Sequence, residues 1–392
     1  MRDELRGSLL NFKMRLYPTE HQERRLEETL EINRILYNYY IINKFRSRND
    51  MNYALTELKE QLPALKNYHS KMLQMISTKV AGALSSIDEL SKRRHKAGKL
   101  QLLKPGECKS FVYNQSGYQV KQLPDKSILH LSKIGSIEIR VHRGLHDIAQ
   151  VTIVKQAGKW YAILACKLTR RAQCTLSYER TVGIDVGIKK YAYDSDENPT
   201  ASPLFLSKEL KPLRRVQRKV SRRMKGSNNY RKAVSWLQRL HMRIANKRKD
   251  FLHKLSNYYS ERYDVIFLER LKLNNMVKNH CFARHIMDSS WGMFKQLLIY
   301  KANRVVQVNA FNTTIECSKC SNKVPKTLAV RIHECDRCGA VLDRDHNSSM
   351  VIEDRGRMLL GLPMRHREVT PVETLVEIAE AGTTHTLLRV GR

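Results

Sequence analysis

The sequence predicts an α+β protein of several domains, and three observations carry that prediction. A helical block lies between one strand and several later strands, which suggests a β-barrel with a helical insertion. Strands and long helices then alternate, as in an α/β domain. Within this second region, two C-x-x-C pairs indicate a four-cysteine metal site. A chain of 392 residues has room for two or three domains.

The first region begins with a strand at residues 8–17, where apolar residues mostly alternate with polar ones. A helix begins at residues 18–20, and a second helix covers residues 72–90, where apolar residues form one stripe. From residue 108 to residue 168 the pattern changes to short β-rich segments, with Ala157-Gly158 as a hairpin turn. The helical block is therefore expected as an insertion into a β structure.

The second region alternates between strands and helices. Residues 181–193 predict two strands joined by a short turn, and residues 210–224 and 233–258 predict two long basic helices. They are followed by a buried strand at residues 263–268, a helix at 291–302, a strand at 305–308 and a final helix at 345–353. The last stretch, residues 355–392, has weak periodicity, and we expect a partly disordered tail.

Charge is the most unusual feature of the composition. The chain has 71 Lys and Arg against 38 Asp and Glu, which gives a formal net charge of +33. Self-repulsion on this scale destabilises a folded protein unless a polyanion neutralises it, and nucleic acid is such a polyanion. The sequence has no signal-peptide pattern and no apolar run near the ~20 residues of a membrane span. We therefore expect a cytoplasmic protein without a membrane partner.

Two cysteine pairs have the spacing of a zinc site. Cys317 and Cys320 form the first C-x-x-C pair, and Cys335 and Cys338 form the second, with fourteen residues between the pairs. The reducing cytosol disfavours a disulfide framework. Four thiolates complete the tetrahedral coordination of Zn²⁺, so we predict a structural zinc site without an open position. Coincidental cysteines are the alternative interpretation.

The turns that follow the cysteine pairs need residues that tolerate positive φ. Gly339 follows the second pair and meets this need. After the first pair we expect Asn322 to take that geometry, since Asn tolerates it more often than most residues. His333 lies between the pairs and is a spare ligand, although four cysteines already complete the set.

Three acidic residues are candidates for a catalytic metal site. Asp185 and Glu269 each end an apolar strand, and Asp345 lies where a loop enters a helix. Carboxylates at the ends of neighbouring strands converge at one sheet edge, where they repel each other unless divalent cations screen them; such oxygen ligands select Mg²⁺ or Mn²⁺. Two such ions ~3.5–4 Å apart clamp a phosphodiester during hydrolysis. The simpler interpretations are a turn hydrogen bond for Asp185 and a helix N-cap at Asp343 or Asp345.

The two basic helices are candidates for nucleic-acid contact. Between residues 208 and 249, sixteen residues are Lys or Arg and only Glu209 is acidic, whereas a solvated helix face usually mixes both signs. A merely solubilising surface is the alternative. The expected contacts are Arg214, Arg218, Arg222, Arg223, Lys225 and Lys232.

Together these residues resemble the TnpB family, the RNA-guided nucleases of insertion sequences that are considered ancestral to type V CRISPR effectors. The resemblance runs from residues 11–18 to Asp345, and its most specific segments are residues 183–187, 267–271 and 343–347. The resemblance implies that Asp185, Glu269 and Asp345 are the RuvC-like catalytic triad, with Asp343 a weaker candidate for the third acid. In the order Asp, Glu, Asp, the triad is similar to RuvC and unlike cut-and-paste transposases. Ser348-Ser349 replaces the usual Ala-Ala and should fit the same packing.

The resemblance also implies a domain order. We expect a wedge-like β-barrel with a helical recognition insert, then a RuvC-like domain of the RNase H fold that carries a four-cysteine zinc finger. The expected boundaries are 1–18 and 106–179 for the barrel, 19–105 for the insert, 180–314 and 341–354 for the nuclease domain, 315–340 for the zinc finger and 355–392 for the tail.

The function implied is RNA-guided, Mg²⁺- or Mn²⁺-dependent cleavage of double-stranded DNA beside a short adjacent motif. The implied partners are a guide RNA transcribed near the gene and target DNA, with one or two protein subunits per RNA. Three alternatives stay open at this point: a catalytically silent RNA-guided repressor, a transposase or its accessory protein, and a zinc-ribbon RNA-binding protein without catalysis.

Overall fold

A seven-stranded antiparallel sheet is the framework of the first part of the chain. The computed structural model describes residues 9–145, 147–167, 178–327 and 330–367, and the chain divides into two units, residues 1–173 and 174–392. The strands of the first unit are β1 (Leu9–Tyr17), β2 (Ser110–Asn114), β3 (Tyr118–Gln122), β4 (Ser127–Leu131), β5 (Gly135–Arg140), β6 (Ile148–Gln156) and β7 (Lys159–Lys167). Their order in the sheet is β2-β6-β7-β1-β5-β4-β3.

Three helices lie between β1 and β2 in this unit, and they are α1 (Glu20–Ile42), α2 (Arg48–Gln61) and α3 (Ser70–Lys92). Helix α1 begins at Thr19, which forms a capping box with Gln22. Leu26 of α1 and Leu73 of α3 share one apolar core with sheet residues such as Leu164. The helical block therefore lies where the sequence predicts it, although α2 is an additional helix.

The second unit contains a five-stranded mixed sheet. Its strands are β8 (Thr181–Val186), β9 (Lys190–Asp194), β10 (Pro199–Ala201), β11 (Val265–Glu269) and β12 (Arg304–Val308), in the order β10-β9-β8-β11-β12. Strand β9 is antiparallel to β8 and to β10, whereas β11 is parallel to both β8 and β12. The ends of β8 and β11 therefore meet at one edge of the sheet.

Helices cover both faces of this sheet. They are α4 (Phe205–Ser221), α5 (Asn228–Arg262), α6 (Leu273–Met276), α7 (His280–Ser289), α8 (Trp291–Lys301) and α9 (Arg344–Leu359). Helices α5 and α8 contribute Tyr259 and Phe294 to the core on one face. Helix α9 contributes Ile352 to the core on the other face. A two-stranded hairpin, β13 (Ile332–Glu334) and β14 (Val341–Asp343), immediately precedes α9.

The C-terminal segment differs in part from the expected tail. Helix α9 continues through Leu359, because Gly356 and the buried residues before it pack on the sheet. Arg367 is buried and forms an ion pair with Glu316. Residues 1–8 of the predicted barrel and residues 368–392 of the predicted tail lie outside the described residues. Among the described helices, none has the length and apolar character that crossing a membrane requires.

Candidate catalytic and zinc sites

The acid at the end of β11 faces helix α9. Ile266 and Leu268 pack into the core formed with α5 and α8, whereas Phe267 packs into the core that contains Ile352 of α9. Side chains along a strand point alternately to opposite faces of the sheet. Glu269 therefore follows Phe267 to the α9 side.

The acid at the end of β8 faces the same side. The parallel register pairs Ile184 with Leu268, so Asp185 and Glu269 come next on neighbouring strands that are ~4.8 Å apart. Ile184 belongs to the core on the α5 side. By alternation, Asp185 points to the α9 side, and both strand-end acids therefore face the final helix.

Two glycines allow helix α9 to approach the sheet closely. A Cβ built on Gly183 would lie 2.1 Å from the carbonyl oxygen of Ser349, and one built on Gly356 would lie 1.9 Å from the ring of Phe267. These separations are far below van der Waals contact, so a larger residue at either position would push the helix outward. The close approach brings the first turn of α9, which contains Asp345, to the edge where β8 and β11 end.

The ring of His346 confirms this placement of the first turn. Tyr193 on β9 pairs with Asp185 on β8, and the His346 ring stacks on Tyr193 with centroids 5.3 Å apart. Asp345 is the neighbour of His346. The structure thus brings the first turn of α9 over the strand position opposite Asp185.

Burial and neighbouring charge raise the pKa of Asp185 well above its ordinary value. Burial is the largest cause, followed by the negative charges of Glu269 and Asp345, while Arg344 acts in the opposite direction. Three acids that are distant in sequence therefore interact electrostatically. The strand-end pattern predicted that these acids lie close together; their role as a catalytic metal site stays a prediction.

Glu269 is also in an unfavourable environment for its charge. Burial raises the pKa of Glu269, although the Thr313 hydroxyl donates a hydrogen bond to its carboxylate and the charge of Arg355 favours ionisation. In the described part of the chain, the four cysteines form a group of side chains close enough to hold one metal ion, and the three acids are not among such groups. Thr313 had no signal in the sequence.

The neighbouring acids Asp343 and Asp345 have different roles. Asp343 is the N-cap of α9: its Oδ1 accepts hydrogen bonds from the amides of Asp345 at 2.9 Å and His346 at 3.4 Å. Its Oδ2 lies 2.7 Å from Nζ of Lys190. Although burial raises its pKa, these bonds outweigh burial and hold the pKa of Asp343 below the ordinary value. Asp343 is therefore occupied as a cap.

Arginines hold the carboxylate of Asp345. Nη2 of Arg344 lies 3.0 Å from Oδ1 of Asp345, and Nη1 of Arg331 lies 3.8 Å from Oδ2. Only 15% of the Asp345 side chain is exposed. The charge of Asp345 is thus partly balanced by protein cations.

The four predicted cysteines meet at one point. The sulfur atoms of Cys317, Cys320, Cys335 and Cys338 all lie within 4.8 Å of one another. Cys317 and Cys338 are 3.7 Å apart, and Cys320 and Cys335 are 3.5 Å apart. Four convergent sulfur donors fit the tetrahedral coordination of Zn²⁺. The Cys335 carbonyl also accepts a hydrogen bond from the Gly339 amide, as expected of a knuckle turn.

One detail of the first knuckle differs from the prediction. Ser321 has φ of +62°, the counterpart of Gly339 at +69°. The prediction that Asn322 adopts this conformation was wrong, because the turn requires positive φ directly after the second cysteine of each pair. The carbonyl of Asn322 instead accepts a hydrogen bond from the Cys317 amide. His333, the additional candidate ligand, is buried, and its Nδ1 contacts Nζ of Lys326. Among the described residues, the group that could hold a metal ion consists of the four cysteines and does not include His333.

Asn347 joins the cysteine site to helix α9. Its Oδ1 accepts a hydrogen bond from the amide of Ser318 at 2.9 Å, and its Nδ2 donates one to the carbonyl of Glu316 at 2.7 Å. Both partners flank Cys317. Because Asn347 is two residues after Asp345, the cysteine site and the third acid are fixed by the same helical turn.

The residues predicted to contact nucleic acid lie on the α4–α5 pair. Arg214 and Arg218 are on α4, Arg222, Arg223 and Lys225 follow α4, and Lys232 is on α5. All six side chains are exposed. Arg223 and Lys232 line one cavity. The same cavity is lined by Lys219, Arg239, Arg243 and Trp236, which the sequence analysis did not single out.

Three family models match the sequence. They are described as "Probable transposase" for residues 166–280, "Cas12f1-like, TNB domain" for residues 291–352 and "Helix-turn-helix domain" for residues 8–49. The first two of these models cover the segments that contain the three acids and the four cysteines.

Curated relatives and solved structures are similar to most of the chain. A protein of Streptomyces pristinaespiralis named "Putative RNA-guided DNA endonuclease" is 32% identical over 363 residues, which cover 86% of this chain and 87% of the relative. "Putative RNA-guided DNA endonuclease InsQ" of Escherichia coli K12 is 28% identical, over 68% of this chain and 71% of its own. The solved mini-RNA-guided endonuclease CRISPR-Cas_phi3 has the same fold, with a TM-score of 0.51 and 9% identity over 92% of this chain and 94% of its own.

Proposed function

Since this chain belongs to the TnpB family, we propose that it is an RNA-guided DNA endonuclease that cleaves target DNA beside a short adjacent motif. The observation that carries the proposal is that the parallel strands β8 and β11 end side by side beneath helix α9, so that Asp185 and Glu269 lie near the helical turn that contains Asp345. This group of acids belongs to a chain with a net charge of +33, which suits a phosphodiester substrate. Curated relatives that bear the name of such an enzyme support the proposal.

We assign the five-stranded sheet and α9 to a RuvC-like nuclease domain of the RNase H fold. Three antiparallel strands followed by two parallel strands, with a final helix on the face that bears the acids, support this assignment. We assign the seven-stranded sheet to a wedge-like barrel and helices α1 to α3 to a recognition insert. The strands of this sheet occur both before and after the helices, as an insertion requires.

Asp185, Glu269 and Asp345 are the residues that would hold Mg²⁺ or Mn²⁺. Their donor set consists of carboxylate oxygens, which these hard cations prefer. Burial and the negative charges of Glu269 and Asp345 raise the pKa of Asp185, and a bound divalent cation would offset both effects. When bound, two such ions supply an activated water and stabilise the leaving 3′-oxygen. The cleaved strand would then end in a 5′-phosphate and a 3′-hydroxyl.

The protein itself contributes the placement of the oxygen donors. The register of β8 against β11 places Asp185 beside Glu269, and the Asp343 cap orients the first turn of α9. The Thr313 hydroxyl holds the Glu269 carboxylate through a hydrogen bond. Donors fixed in this way would hold the cations in position without reorganisation during the reaction.

The guide RNA would read the target by base pairing, while the protein contacts backbone and duplex shape. The exposed cations of the α4–α5 pair are the proposed contacts to nucleic acid. The four cysteines would hold a structural Zn²⁺ because they leave no coordination position for substrate.

The test is cleavage of a plasmid by the purified protein–RNA complex, with the guide sequence taken from the RNA that co-purifies. We expect Mg²⁺-dependent cutting at the guided site, and loss of cutting in Asp185→Ala, Glu269→Ala and Asp345→Ala with target binding retained. Asp250→Ala is the matched control, because Asp250 is an exposed acid on α5 that pairs with Lys254. A complex that binds the target but does not cut in Mg²⁺ or Mn²⁺ would contradict the proposal.

A silent RNA-guided binding protein is the second candidate function. The pairing of Asp345 with Arg344 and Arg331 favours it, because these cations compete with a metal ion for the carboxylate. In that case the native complex binds guided DNA, and Asp185→Ala binds equally well. The cleavage assay above separates the two functions.

A further inference from the structure

A basic cavity lies between helices α4 and α5. Its volume is about 580 Å³, which is within the ~300–1,000 Å³ range of clefts that hold small organic ligands. Five cations and one tryptophan are prominent in its lining: Lys219, Arg223, Lys232, Trp236, Arg239 and Arg243. We call this feature the Trp236 cavity.

The pattern of residues on α5 creates one wall of this cavity. Lys232, Trp236, Arg239 and Arg243 follow each other at steps of four, three and four residues, so they lie along one face of the helix. The opposite wall comes from α4 and its C-terminal end. Leu213, Val216 and Leu240 pack together below and hold the two helices as a pair. The cavity is therefore a consequence of regular helix packing.

The cations of the cavity are not held in ion pairs among the described residues. Within the described part of the chain, none of the five participates in an ion pair. Glu209, the acidic residue of α4, lies 2.9 Å from Nζ of Lys247, and of the five cations Arg243 is the one whose charge acts on it. Five positive charges around one concavity repel each other, and an anion with several oxygens would relieve that repulsion.

Trp236 gives the cavity a second kind of chemistry. Its side chain is 44% exposed, whereas Trp160 and Trp291, the other two tryptophans, are buried. The ammonium of Lys219 lies 5.2 Å from the centroid of the Trp236 ring. A flat aromatic ligand that stacks on this ring would displace the ammonium, which would then be available to an attached phosphate.

We propose that the Trp236 cavity binds an unpaired nucleotide of a nucleic-acid strand, with its base on the indole and its phosphates against the surrounding cations. Bases in a duplex are stacked on each other and do not present a free face, so the indole selects an unpaired base. The inference rests on the proposed function only in taking nucleic acid as the partner. It does not depend on cleavage.

The experiment measures binding of fluorescein-labelled ten-residue strands, dT10 and U10, to the full chain. All proteins carry Asp185→Ala, and no magnesium is added, so that loss of cutting and loss of binding are separate results. We expect both strands to quench tryptophan fluorescence, because Trp236 is the exposed one of the three. Whether dT10 or U10 binds more tightly identifies DNA or RNA as the natural source of the nucleotide.

Three variants separate the effect of stacking from the effects of side-chain volume and charge. Trp236→Phe should abolish most of the quenching but keep affinity by fluorescence polarisation within about two-fold, because phenylalanine still stacks. Trp236→Leu should weaken binding about ten-fold while the melting temperature stays native, because leucine fills space but cannot stack. In the double variant Lys232→Gln/Arg239→Gln, the slope of the logarithm of the binding constant against the logarithm of the salt concentration should become less steep by about 0.7 for each lost phosphate contact. Lys254→Gln, which removes an exposed cation outside the cavity, is the charge control.

Native affinity of Trp236→Leu for both strands would overturn the proposal. Equal affinity of the native chain for a ten-base-pair duplex, without quenching, would also overturn it, because the helices would then bind only the charged backbone.

Discussion

At the scale of single residues, the environment of Asp185 opposes the negative charge that the proposed metal site would require. Burial and the charges of Glu269 and Asp345 raise its pKa, so the folded state favours the neutral acid. Above the ordinary pKa of about 4, Asp185 is ionised in the unfolded protein. The folded protein must then either bind a proton at Asp185 or contain a destabilised carboxylate. The contribution of Asp185 to the free energy of unfolding therefore decreases as pH rises above that value.

Asp185→Asn should stabilise the metal-free protein while it abolishes cutting. The amide removes the buried negative charge, so the melting temperature at pH 7.5 should rise by a few degrees, given ~2–4 °C per kcal/mol for a unit of this size. The difference should shrink as pH falls toward about 4, where the native acid becomes protonated in both states. Asp250→Asn, an exposed acid, is the control. An unchanged or lower melting temperature for Asp185→Asn in the absence of metal would contradict the argument.

Single residues of the sites could be predicted from the sequence only where a local pattern identifies them. The cysteine spacing predicted four sulfurs that do converge, since each C-x-x-C pair needs only one tight turn. The roles of Asp343 and Asp345 stayed open in the sequence, because both are good helix-start residues, and the hydrogen bonds to Asp343 resolve which one is the cap. Thr313 and Trp236 had no local signal. Their neighbours come from distant segments or from the facing helix.

At the scale of elements, helix α9 is the part of the structure on which both sites depend. Gly183 and Gly356 allow it to lie directly on β8 and β11. Its first turn contains Asp345, whose charge acts on Asp185, and Asn347, which forms hydrogen bonds with the backbone on both sides of Cys317. A change in the cysteine site therefore reaches the third acid through one helical turn.

This link predicts different outcomes for two substitutions. Cys317→Ser should reduce zinc content, measured by elemental analysis, and lower the melting temperature, because structural zinc contributes folding free energy. Asn347→Ala should keep the zinc but leave the Ser318 amide and the Glu316 carbonyl unpaired, at a cost of about 1–3 kcal/mol for each unsatisfied buried group. Cys281→Ser, at an exposed cysteine, is the control. A Cys317→Ser protein with normal zinc content and melting profile would show that the four-thiolate assignment is wrong.

Elements with a strong hydrophobic periodicity were predicted well from the sequence, whereas short elements were not. The hairpin at Ala157-Gly158 is confirmed because both residues have positive φ, as the turn between two antiparallel strands requires. Helices α2 and α7 were missed, since their few buried residues give weak stripes. The strands β13 and β14 have three residues each, too short for an alternating pattern.

At the scale of the whole molecule, the net charge of +33 is the dominant property. The described ion pairs include few that are well buried, and the cations of the α4–α5 pair are largely exposed. Charge of one sign on this scale opposes the compact state, and salt screens it with a Debye length of ~10 Å at 0.1 M and ~3 Å at 1 M. Bound nucleic acid would act in the same direction more strongly, since it places phosphates directly beside the cations.

The stability of the RNA-free protein should therefore increase with salt. We expect a higher melting temperature in 1 M than in 0.1 M potassium chloride, because screening weakens the repulsion among 71 Lys and Arg side chains. The protein–RNA complex should melt at a higher temperature than the free protein at low salt, and this advantage should shrink as salt releases the RNA. The comparison uses scanning fluorimetry, with potassium glutamate as a second salt that distinguishes screening from specific chloride binding. A free protein that melts at the same temperature across this range would show that its charges are already compensated within the fold, and the argument for a polyanionic partner from composition would then fail.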